Sequence, residues 1–259
     1  MGLHHTYDAL GNLRSISHVQ TGDLIWELDD ANADNQPTLE HFGNGRSTAR
    51  DYDPTTGQPK QIRTGTLAGN VLINPFQKLE MTWTKNGNLW TRKDALQNQT
   101  ETFTYDSLNR LETSSIWDKG GITGPVGLGY DQFGSIKTHP TLGAIVSKPG
   151  GRAETLNGKS WLGYDDNGNV TTTPDTIIDW NASSRPVAIS SPTALVELEY
   201  DADGSMVRRT SGGQTTLSDG AYERITKGAS SLHKYYVSAG GRVVAMGRVK
   251  DISPNAVEW

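Results

Sequence analysis

Tyr164-Asp165-Asp166-Asn167-Gly168-Asn169-Val170 is the stretch that decides the fold, because its pattern recurs along the chain. The pattern is an aromatic residue, Asp, two free positions, Gly, a polar residue and an apolar residue. An Asp that opens a type I turn accepts hydrogen bonds from the amide two residues on, and a Gly at the fourth turn position supplies the positive φ that returns the chain antiparallel. Each copy therefore predicts a β-hairpin turn.

Internal repetition of this kind determines the architecture of a chain. The weaker copies keep the frame: Trp83 replaces the Tyr, Asn109 replaces the Gly, and the copy at Tyr52 carries one extra residue. Trp180 begins the most degenerate copy. The residues predicted to hold the aromatic, turn-opening and positive-φ positions are Tyr7, Asp8, Gly11, Tyr52, Asp53, Gly57, Trp83, Gly87, Tyr105, Asp106, Asn109, Tyr130, Asp131, Gly134, Tyr164, Asp165, Gly168, Tyr200, Asp201 and Gly204.

The segments between turns have β character. Residues 195–200 alternate apolar and polar side chains, and no helix of normal length is evident. The aromatic before each turn and the apolar residue after it are expected to form a cross-strand pair. Spacing between copies runs from 16 residues (164 to 180) to 45 (7 to 52), and residues 26–30 are read as a decayed copy inside the longest interval. The sequence predicts an all-β fold, an irregular array of antiparallel hairpins forming a curved, spiralling sheet.

Composition excludes several function classes. The chain has 259 residues, a formal charge of -5 and no Cys. An acidic chain without a Lys/Arg run does not attract nucleic acid, and the absence of Cys excludes disulfides and thiolate zinc sites. No apolar stretch approaches the roughly 20 residues of a membrane span, and we expect no signal peptide in this chain.

Two short motifs are better explained as turns. Residues 153–160 fit the loosest nucleotide P-loop, but the sequence after them leads into a hairpin instead of a helix. Residues 30–34 have the oxygen spacing of a calcium loop, but Asn35 stands where Gly is required and His41 where a bidentate Glu is required. We therefore predict no cofactor and no metal site.

No enzyme signature is present. The chain lacks a Gly-x-Ser-x-Gly elbow, and His18, His41, His139 and His233 are scattered singly along the sequence. A pair of carboxylates for glycoside cleavage is defined only in three dimensions, so that alternative stays open. We expect the chain not to be an enzyme.

The repeated copies resemble the tyrosine-aspartate (YD) repeats of bacterial Rhs proteins, the C component of insecticidal toxin complexes, wall-associated proteins and animal teneurins. The resemblance extends from Tyr7 to about Met206, and residues 222–225, 233–237 and 240–245 resemble the segment that precedes the Rhs core. It implies a YD-repeat array over residues 1–210 and a strand segment over 211–259 that continues the same sheet. The conserved Rhs core and the C-terminal toxin are absent from this sequence.

The resemblance implies a structural function. Rhs-type sheets spiral into a hollow shell around a toxin, and their shells are several times longer than this chain. We therefore expect a non-catalytic wall segment whose partners are the remaining shell and an enclosed toxin, with self-association through exposed sheet edges. The full-length bacterial protein is expected to be secreted or on the cell surface. The alternative is a cell-surface adhesion module that binds carbohydrate through exposed aromatics among its seven Trp and nine Tyr.

Overall fold

The chain is built of β-strands joined by short turns. The computed structural model describes residues 2–69, 71–148 and 151–250. These residues include no helix, and the strands pair in antiparallel sheets. The all-β fold class predicted from the sequence is therefore confirmed.

The described residues form 26 strands. In chain order they are β1 (Leu3–Tyr7), β2 (Leu13–His18), β3 (Leu24–Ala31), β4 (Pro37–Phe42), β5 (Arg46–Tyr52), β6 (Pro59–Ala68), β7 (Val71–Trp83), β8 (Leu89–Asp94), β9 (Gln99–Tyr105), β10 (Leu111–Asp118), β11 (Gly121–Gly127), β12 (Gly129–Tyr130), β13 (Ile136–His139), β14 (Gly143–Ser147), β15 (Ala153–Leu156), β16 (Lys159–Ser160), β17 (Gly163–Tyr164), β18 (Val170–Thr173), β19 (Thr176–Trp180), β20 (Pro186–Ser191), β21 (Ala194–Tyr200), β22 (Met206–Ser211), β23 (Gln214–Asp219), β24 (Tyr222–Lys227), β25 (Ser230–Ala239) and β26 (Arg242–Lys250).

Every strand pairs with its neighbour in sequence, so each sheet is a meander. Strands β1–β11 form one sheet, β12–β16 a second and β17–β26 a third. In a meander every second turn lies at the same edge of the sheet. The turns that follow β1, β3, β5, β7 and β9 therefore share one edge of the first sheet, and those after β17, β19 and β21 share one edge of the third.

The sheet is continuous across residue 210, which is the predicted boundary between the repeat array and the segment after it. Strand β22 spans this position, and β17–β26 are hydrogen-bonded in one continuous order. The assignment of residues 211–259 as the segment that precedes the Rhs core stays a prediction. Its last nine residues, 251–259, lie outside the described residues.

The fold divides into two compact units. The first consists of the described residues up to Leu128 together with Ser238–Ala245. The second consists of Gly129–Val237 together with the described residues from Met246 onward.

The largest buried side chains of the first unit lie on one face of β2–β5. The register places Ile16, Trp26 and Phe42 in one row across the sheet and Leu28 beside Glu40 two residues along. Ile16 is fully buried, and Trp26 and Leu28 are 4% and 7% exposed. Cross-strand partners point to the same face, so the alternation of apolar residues in β3 produces this core.

The second unit has a thinner core. Its third sheet carries a cross-strand row of Ile178, Ile189 and Val196, and all three side chains are only half-buried. Partial burial gives less hydrophobic stabilisation than the roughly 1.5–3 kcal/mol of a fully buried aliphatic side chain. Strand pairing and contacts between repeats therefore supply a larger share of its stability.

A buried carboxylate lies in the core of the first unit. Glu40 has no exposed surface, and it accepts hydrogen bonds from the indole Nε1 of Trp26 at 2.9 Å and from the guanidinium groups of Arg50 and Arg242. Burial lowers the pKa of both arginines below their usual value. The cluster therefore joins β3, β4 and β5 to the segment Ser238–Ala245 of the same unit.

Replacing Glu40 by Gln is expected to lower the free energy of unfolding by about 3 kcal/mol, because breaking a buried ion pair leaves unpartnered charge at a cost of about 3–5 kcal/mol. Urea unfolding measures this loss. Glu199→Gln is the matched control: Glu199 pairs with Arg208 at 2.9 Å, but its side chain is 60% exposed. An exposed pair contributes at most about 1 kcal/mol. Equal losses in the two variants would contradict the role of burial.

Candidate functional site: the ladder of repeat turns

Each repeat turn is organised by one side chain. In the first copy, Asp8 Oδ1 accepts hydrogen bonds from the amides of Leu10 and Asn12, both at 2.9 Å. The amide of Gly11 donates to the carbonyl of Asp8 at 3.1 Å, which closes the turn. The sequence predicts the bond to the amide two residues on, but not the second bond to the amide four residues on.

The same geometry recurs with different residues. Asp106 and Asp131 each accept the amides two and four residues on, and Asn181 does the same in the degenerate copy. In the copy with Trp83, the hydroxyl of Thr84 accepts the amide of Asn88 at 3.1 Å. Any short side chain with an acceptor oxygen therefore suffices at this position.

The fourth turn position has a positive φ whether or not it is Gly. Asn109 has a φ of 60° and Ser184 a φ of 54°, beside 90° for Gly168. Asn tolerates this left-handed conformation better than most residues, and Ser is less suited to it. The turn at Ser184 therefore forms despite its residue, which indicates that the surrounding strands determine its conformation.

Two further copies escape recognition in the sequence. Asn32 Oδ1 accepts the amides of Asp34 and Gln36, Asn35 has a φ of 58°, and Ala31 pairs with Pro37. The repeat in this interval therefore begins at Ala31, and the expectation of a decayed copy over residues 26–30 is wrong because Trp26 lies within strand β3. The oxygen-rich segment that resembles a calcium loop is this turn.

The second unrecognised copy lies between Ser147 and Ala153. These two residues are cross-strand partners, and the amide of Gly151 donates to the carbonyl of Lys148 at 3.0 Å. With both copies counted, the 45-residue interval from 7 to 52 becomes 24 and 21, and the interval from 130 to 164 becomes two of 17. The array is more regular than its sequence indicates.

The residues that flank each turn form cross-strand pairs. Each pair joins the aromatic position to the apolar position after the turn, with a β-bulge beside it. The pairs are Tyr7 with Leu13, Tyr52 with Pro59, Trp83 with Leu89, Tyr105 with Leu111, Tyr130 with Ile136, Tyr164 with Val170, Trp180 with Pro186 and Tyr200 with Met206.

The polar atom of the aromatic side chain connects consecutive repeats. Its hydroxyl or indole N–H donates to the carbonyl of the residue that follows the preceding turn. These hydrogen bonds join Tyr52 to Pro37 (3.1 Å), Trp83 to Pro59 (2.8 Å), Tyr105 to Leu89 (2.7 Å), Tyr164 to Ala153 (2.9 Å), Trp180 to Val170 (2.8 Å) and Tyr200 to Pro186 (2.9 Å). Tyr and Trp both carry a donor, whereas Phe lacks one and occupies none of these positions.

A second contact stacks several of the turns on the next. The side chain one position after the positive-φ residue reaches the following turn: Gln36 Nε2 donates to the carbonyl of Gly57 at 3.0 Å, and Asn169 Nδ2 donates to the hydroxyl of Ser184 at 3.1 Å. Arg185, which follows Ser184 in the Trp180 copy, lies 5.8 Å from the ring centre of Tyr200 in the last copy. We call this repeated set of turn-to-turn contacts the turn ladder.

Gly204 is required by its turn. Its φ of 84° disfavours residues that carry a side chain. The guanidinium of Arg185 occupies the space that a Cβ atom would take, but it ends a flexible side chain that can shift, so the φ is the stronger constraint.

The turns also set the electrostatics of their aspartates. The amide of Asn12 lowers the pKa of Asp8, the amide of Thr55 lowers that of Asp53, and the amide of Arg110 lowers that of Asp106. The side-chain amide of Asn169 lowers the pKa of Asp165. Donors that point at a carboxylate stabilise its charged form.

The fold brings together three residues that the sequence leaves scattered. His41 Nδ1 lies 2.8 Å from Ser47 Oγ, and His41 Nε2 lies 3.5 Å from Asp29 Oδ2. The residue types match a hydrolase triad, but Ser47 is 3% exposed, so its hydroxyl is closed to a substrate. The arrangement is a polar network between β3, β4 and β5.

The remaining motifs have structural roles. Residues 153–160, which fit a loose P-loop, form strands β15 and β16 joined by a turn, so no helix N-terminus is available for phosphate. Over the described ranges, the fold gathers no group of three His, Asp or Glu side chains suited to a metal ion.

Solved structures of known proteins share this fold. The chain is similar to TcdB2-TccC3-TEV, with 18% identity and a TM-score of 0.74 over 96% of this chain and 15% of that one. It is also similar to TcdB2-TccC3-Cdc42, with 18% identity and a TM-score of 0.75 over 96% and 15%. A Tc holotoxin pore of Photorhabdus luminescens with a mutation in TccC3 gives 19% identity and a TM-score of 0.73 over 96% and 14%.

These similarities concern the fold. The neighbours are Rhs/YD-repeat shell proteins, so the resemblance predicted from the repeats is confirmed at the level of the fold. The chain spans about one seventh of their length. No protein-family model matches the chain, and no curated protein matches its sequence.

The described part of the chain contains no helix of the length and apolarity needed to cross a membrane.

Tyr200→Phe is expected to lower the free energy of unfolding by about 1 kcal/mol, because it removes only the hydroxyl that donates to the Pro186 carbonyl. Tyr7→Phe is the control: Tyr7 is 61% exposed, and no repeat turn of the described residues comes before it. We expect this variant to unfold like the parent in urea. The inter-repeat bond contributes nothing if both substitutions have the same effect.

Replacing Asp8, Asp106 and Asp165 together by Asn is expected to flatten the pH dependence of stability. The folded pKa values lie below the unfolded value of about 3.9, so this stability is present above that value and is lost as the pH falls through the folded values. Asn keeps the acceptor oxygen, as Asn181 shows. Urea unfolding at a series of pH values from about 5 to 2 measures the change.

The control for that series is the triple Asn variant of Asp34, Asp166 and Asp203, whose carboxylates bind no turn amide in the described residues. This variant should keep the pH dependence of the parent. If the free energy of unfolding of the first variant varies with pH as steeply as that of the parent, the turn aspartates are not the source of the pH dependence.

Proposed function

We propose that the chain is a structural, non-catalytic segment of a β-shell that encloses a cargo polypeptide. The observation that carries this proposal is the hydrogen bond that the aromatic of six repeats donates to a carbonyl of the preceding repeat. A bond of this kind repeats without limit, so the wall lengthens by adding copies. A wall built in this way needs no catalytic side chains.

The ends of the sheets also favour a wall segment. Strands β1 and β11 each have a partner on one side only within the first sheet. Such edges pair readily with additional strands. In a longer shell they would pair with the adjoining repeats, and in the isolated chain we expect them to self-associate.

Exposed apolar side chains also favour a wall segment. Trp117 and Ile122, a cross-strand pair on β10 and β11, are 46% and 72% exposed. Apolar surface of this kind is usually covered in a protein's working state. An enclosed, incompletely folded polypeptide or neighbouring wall would cover it.

A solved structure with the same fold also supports a cargo. One structure with this fold was determined as TcdB2-TccC3-Cdc42, which includes a further polypeptide. We extend that arrangement to this chain as part of the proposal, together with secretion of the full-length protein.

A chimera tests the proposal. The segment of TcdB2-TccC3 that aligns with this chain is replaced by residues 2–250, and protease digestion reports whether the cargo stays protected. We expect protection to be retained, and to be lost in a matched chimera that carries Gly168→Val and Gly204→Val. A folded, monodisperse chimera whose cargo is digested as fast as free cargo would contradict the wall function.

A further inference from the structure

Asn167 and Gly168, in the turn after β17, form an Asn-Gly pair, and the chain contains three other such pairs, which begin at Asn44, Asn86 and Asn157. An asparagine followed by glycine can react spontaneously, because no Cβ on the glycine hinders its amide nitrogen from reaching the asparagine side chain. The four pairs are therefore candidate sites of covalent modification. Their surroundings in the structure distinguish them.

The reaction needs no enzyme and no cofactor. The glycine amide nitrogen attacks the asparagine Cγ, so that a new C–N bond closes a succinimide ring while the Cγ–Nδ2 bond breaks. The departing nitrogen gains the proton that the glycine amide loses, and it leaves as ammonia. Water then opens the ring at either carbonyl. One product is aspartate, and the other is isoaspartate, in which the main chain is longer by one methylene.

The asparagine side chain must be free to turn toward the glycine. The side chain of Asn157 is held, since its Oδ1 accepts the amide of Ala144 at 2.9 Å and its Nδ2 donates to the carbonyl of Leu142 at 2.8 Å. The side chain of Asn167 is exposed and forms no hydrogen bond among the described residues. Asn157 is therefore protected from the reaction, whereas Asn167 is open to it.

The other three pairs share one backbone geometry. In each, an exposed asparagine precedes a glycine of positive φ, and the glycine amide donates to the carbonyl three residues before it. These hydrogen bonds join Gly45 to Phe42 (2.9 Å), Gly87 to Thr84 (3.0 Å) and Gly168 to Asp165 (3.0 Å). A difference in rate among the three pairs must therefore come from the side chains around them.

The turn ladder places a different neighbour against each glycine. The guanidinium of Arg152 occupies the space that a Cβ atom of Gly168 would take. The corresponding neighbour of Gly87 is the neutral Gln58, which donates to the Gly87 carbonyl at 3.3 Å. A Cβ atom at Gly45 would meet nothing within 4 Å in the described part of the chain. Of the three glycines, Gly168 alone has a cation against it.

A cation in this position favours the attack. The Gly168 amide loses its proton as it attacks, and negative charge then develops on the side-chain oxygen of Asn167. A nearby positive charge stabilises both anionic species. We propose that Asn167 is a site of spontaneous deamidation and that the guanidinium of Arg152 accelerates the reaction.

Deamidation at this position alters the turn ladder. Aspartate at position 167 adds a third carboxylate beside Asp165 and Asp166, and isoaspartate displaces the residues that follow it. The amide of Asn169 donates to Asp165 Oδ1 at 2.8 Å, and its side chain donates to Ser184 Oγ at 3.1 Å. The first bond closes the turn and the second joins it to the next one. We therefore expect faster hydrogen exchange of the Asn169 amide in the modified protein.

Peptide mapping by mass spectrometry tests the proposal on the whole chain, incubated at mildly alkaline pH and sampled over time. Replacement of NH₂ by OH changes the mass of the peptide, and fragmentation distinguishes aspartate from isoaspartate. We expect Asn167 to react fastest, Asn44 and Asn86 more slowly, and Asn157 slowest. In the chain unfolded by urea the four rates should converge, because the differences come from the fold.

Three variants isolate the role of the cation. Arg152→Gln should slow the deamidation of Asn167 roughly fivefold, a factor that corresponds to about 1 kcal/mol. Arg152→Lys keeps the charge and should keep most of the rate. Gln58 holds the equivalent ladder position before Asn86, so Gln58→Arg should accelerate the reaction of Asn86. High salt should reduce the effect of each arginine, because it screens exposed charges.

Deamidation of Asn167 no faster than that of Asn44 in the folded chain would overturn the proposal. So would equal rates at Asn167 in the parent and in Arg152→Gln, or an unchanged rate at Asn86 in Gln58→Arg. The ranking within the parent and the Gln58→Arg variant keep the test decisive if Arg152→Gln does not fold.

Discussion

The structure depends on the hydrogen bond between the aromatic of one repeat and the carbonyl that follows the preceding turn. Within each turn, an acceptor such as Asp8 holds two amides in place and thereby positions the strands on either side. Between turns, donors such as Trp180 Nε1 and Tyr200 Oη fix the next hairpin against the last. Because few side chains are fully buried, this regular pattern of local bonds supplies order that a thick core supplies in other folds.

The sequence predicts the fold because the strongest constraint is local. An aromatic, an Asp and a Gly within five residues suffice to specify a hairpin, and the structure places a turn at each copy that retains them. The copies at Ala31 and Ser147 were missed because they lack the aromatic. The turn at Asn32 keeps the acceptor oxygen and has Asn35 in the positive-φ position. A search for Gly at that position does not find it.

The candidate sites were beyond sequence reasoning for a different reason. The network of Asp29, His41 and Ser47 is a cross-strand arrangement. Its members meet only once the register between β3, β4 and β5 is known. The cluster around Glu40 depends in addition on Arg242, which lies 202 residues away in the sequence.

Hydrogen exchange of the indole N–H groups tests the account most directly. Trp83 and Trp180 donate to backbone carbonyls of the preceding repeat, whereas Trp90 and Trp117 are about half exposed on strand surfaces. The account predicts that NMR will show slow exchange for the first two and fast exchange for the second two. Equal exchange rates for all four indoles would contradict the inter-repeat bond on which the fold depends.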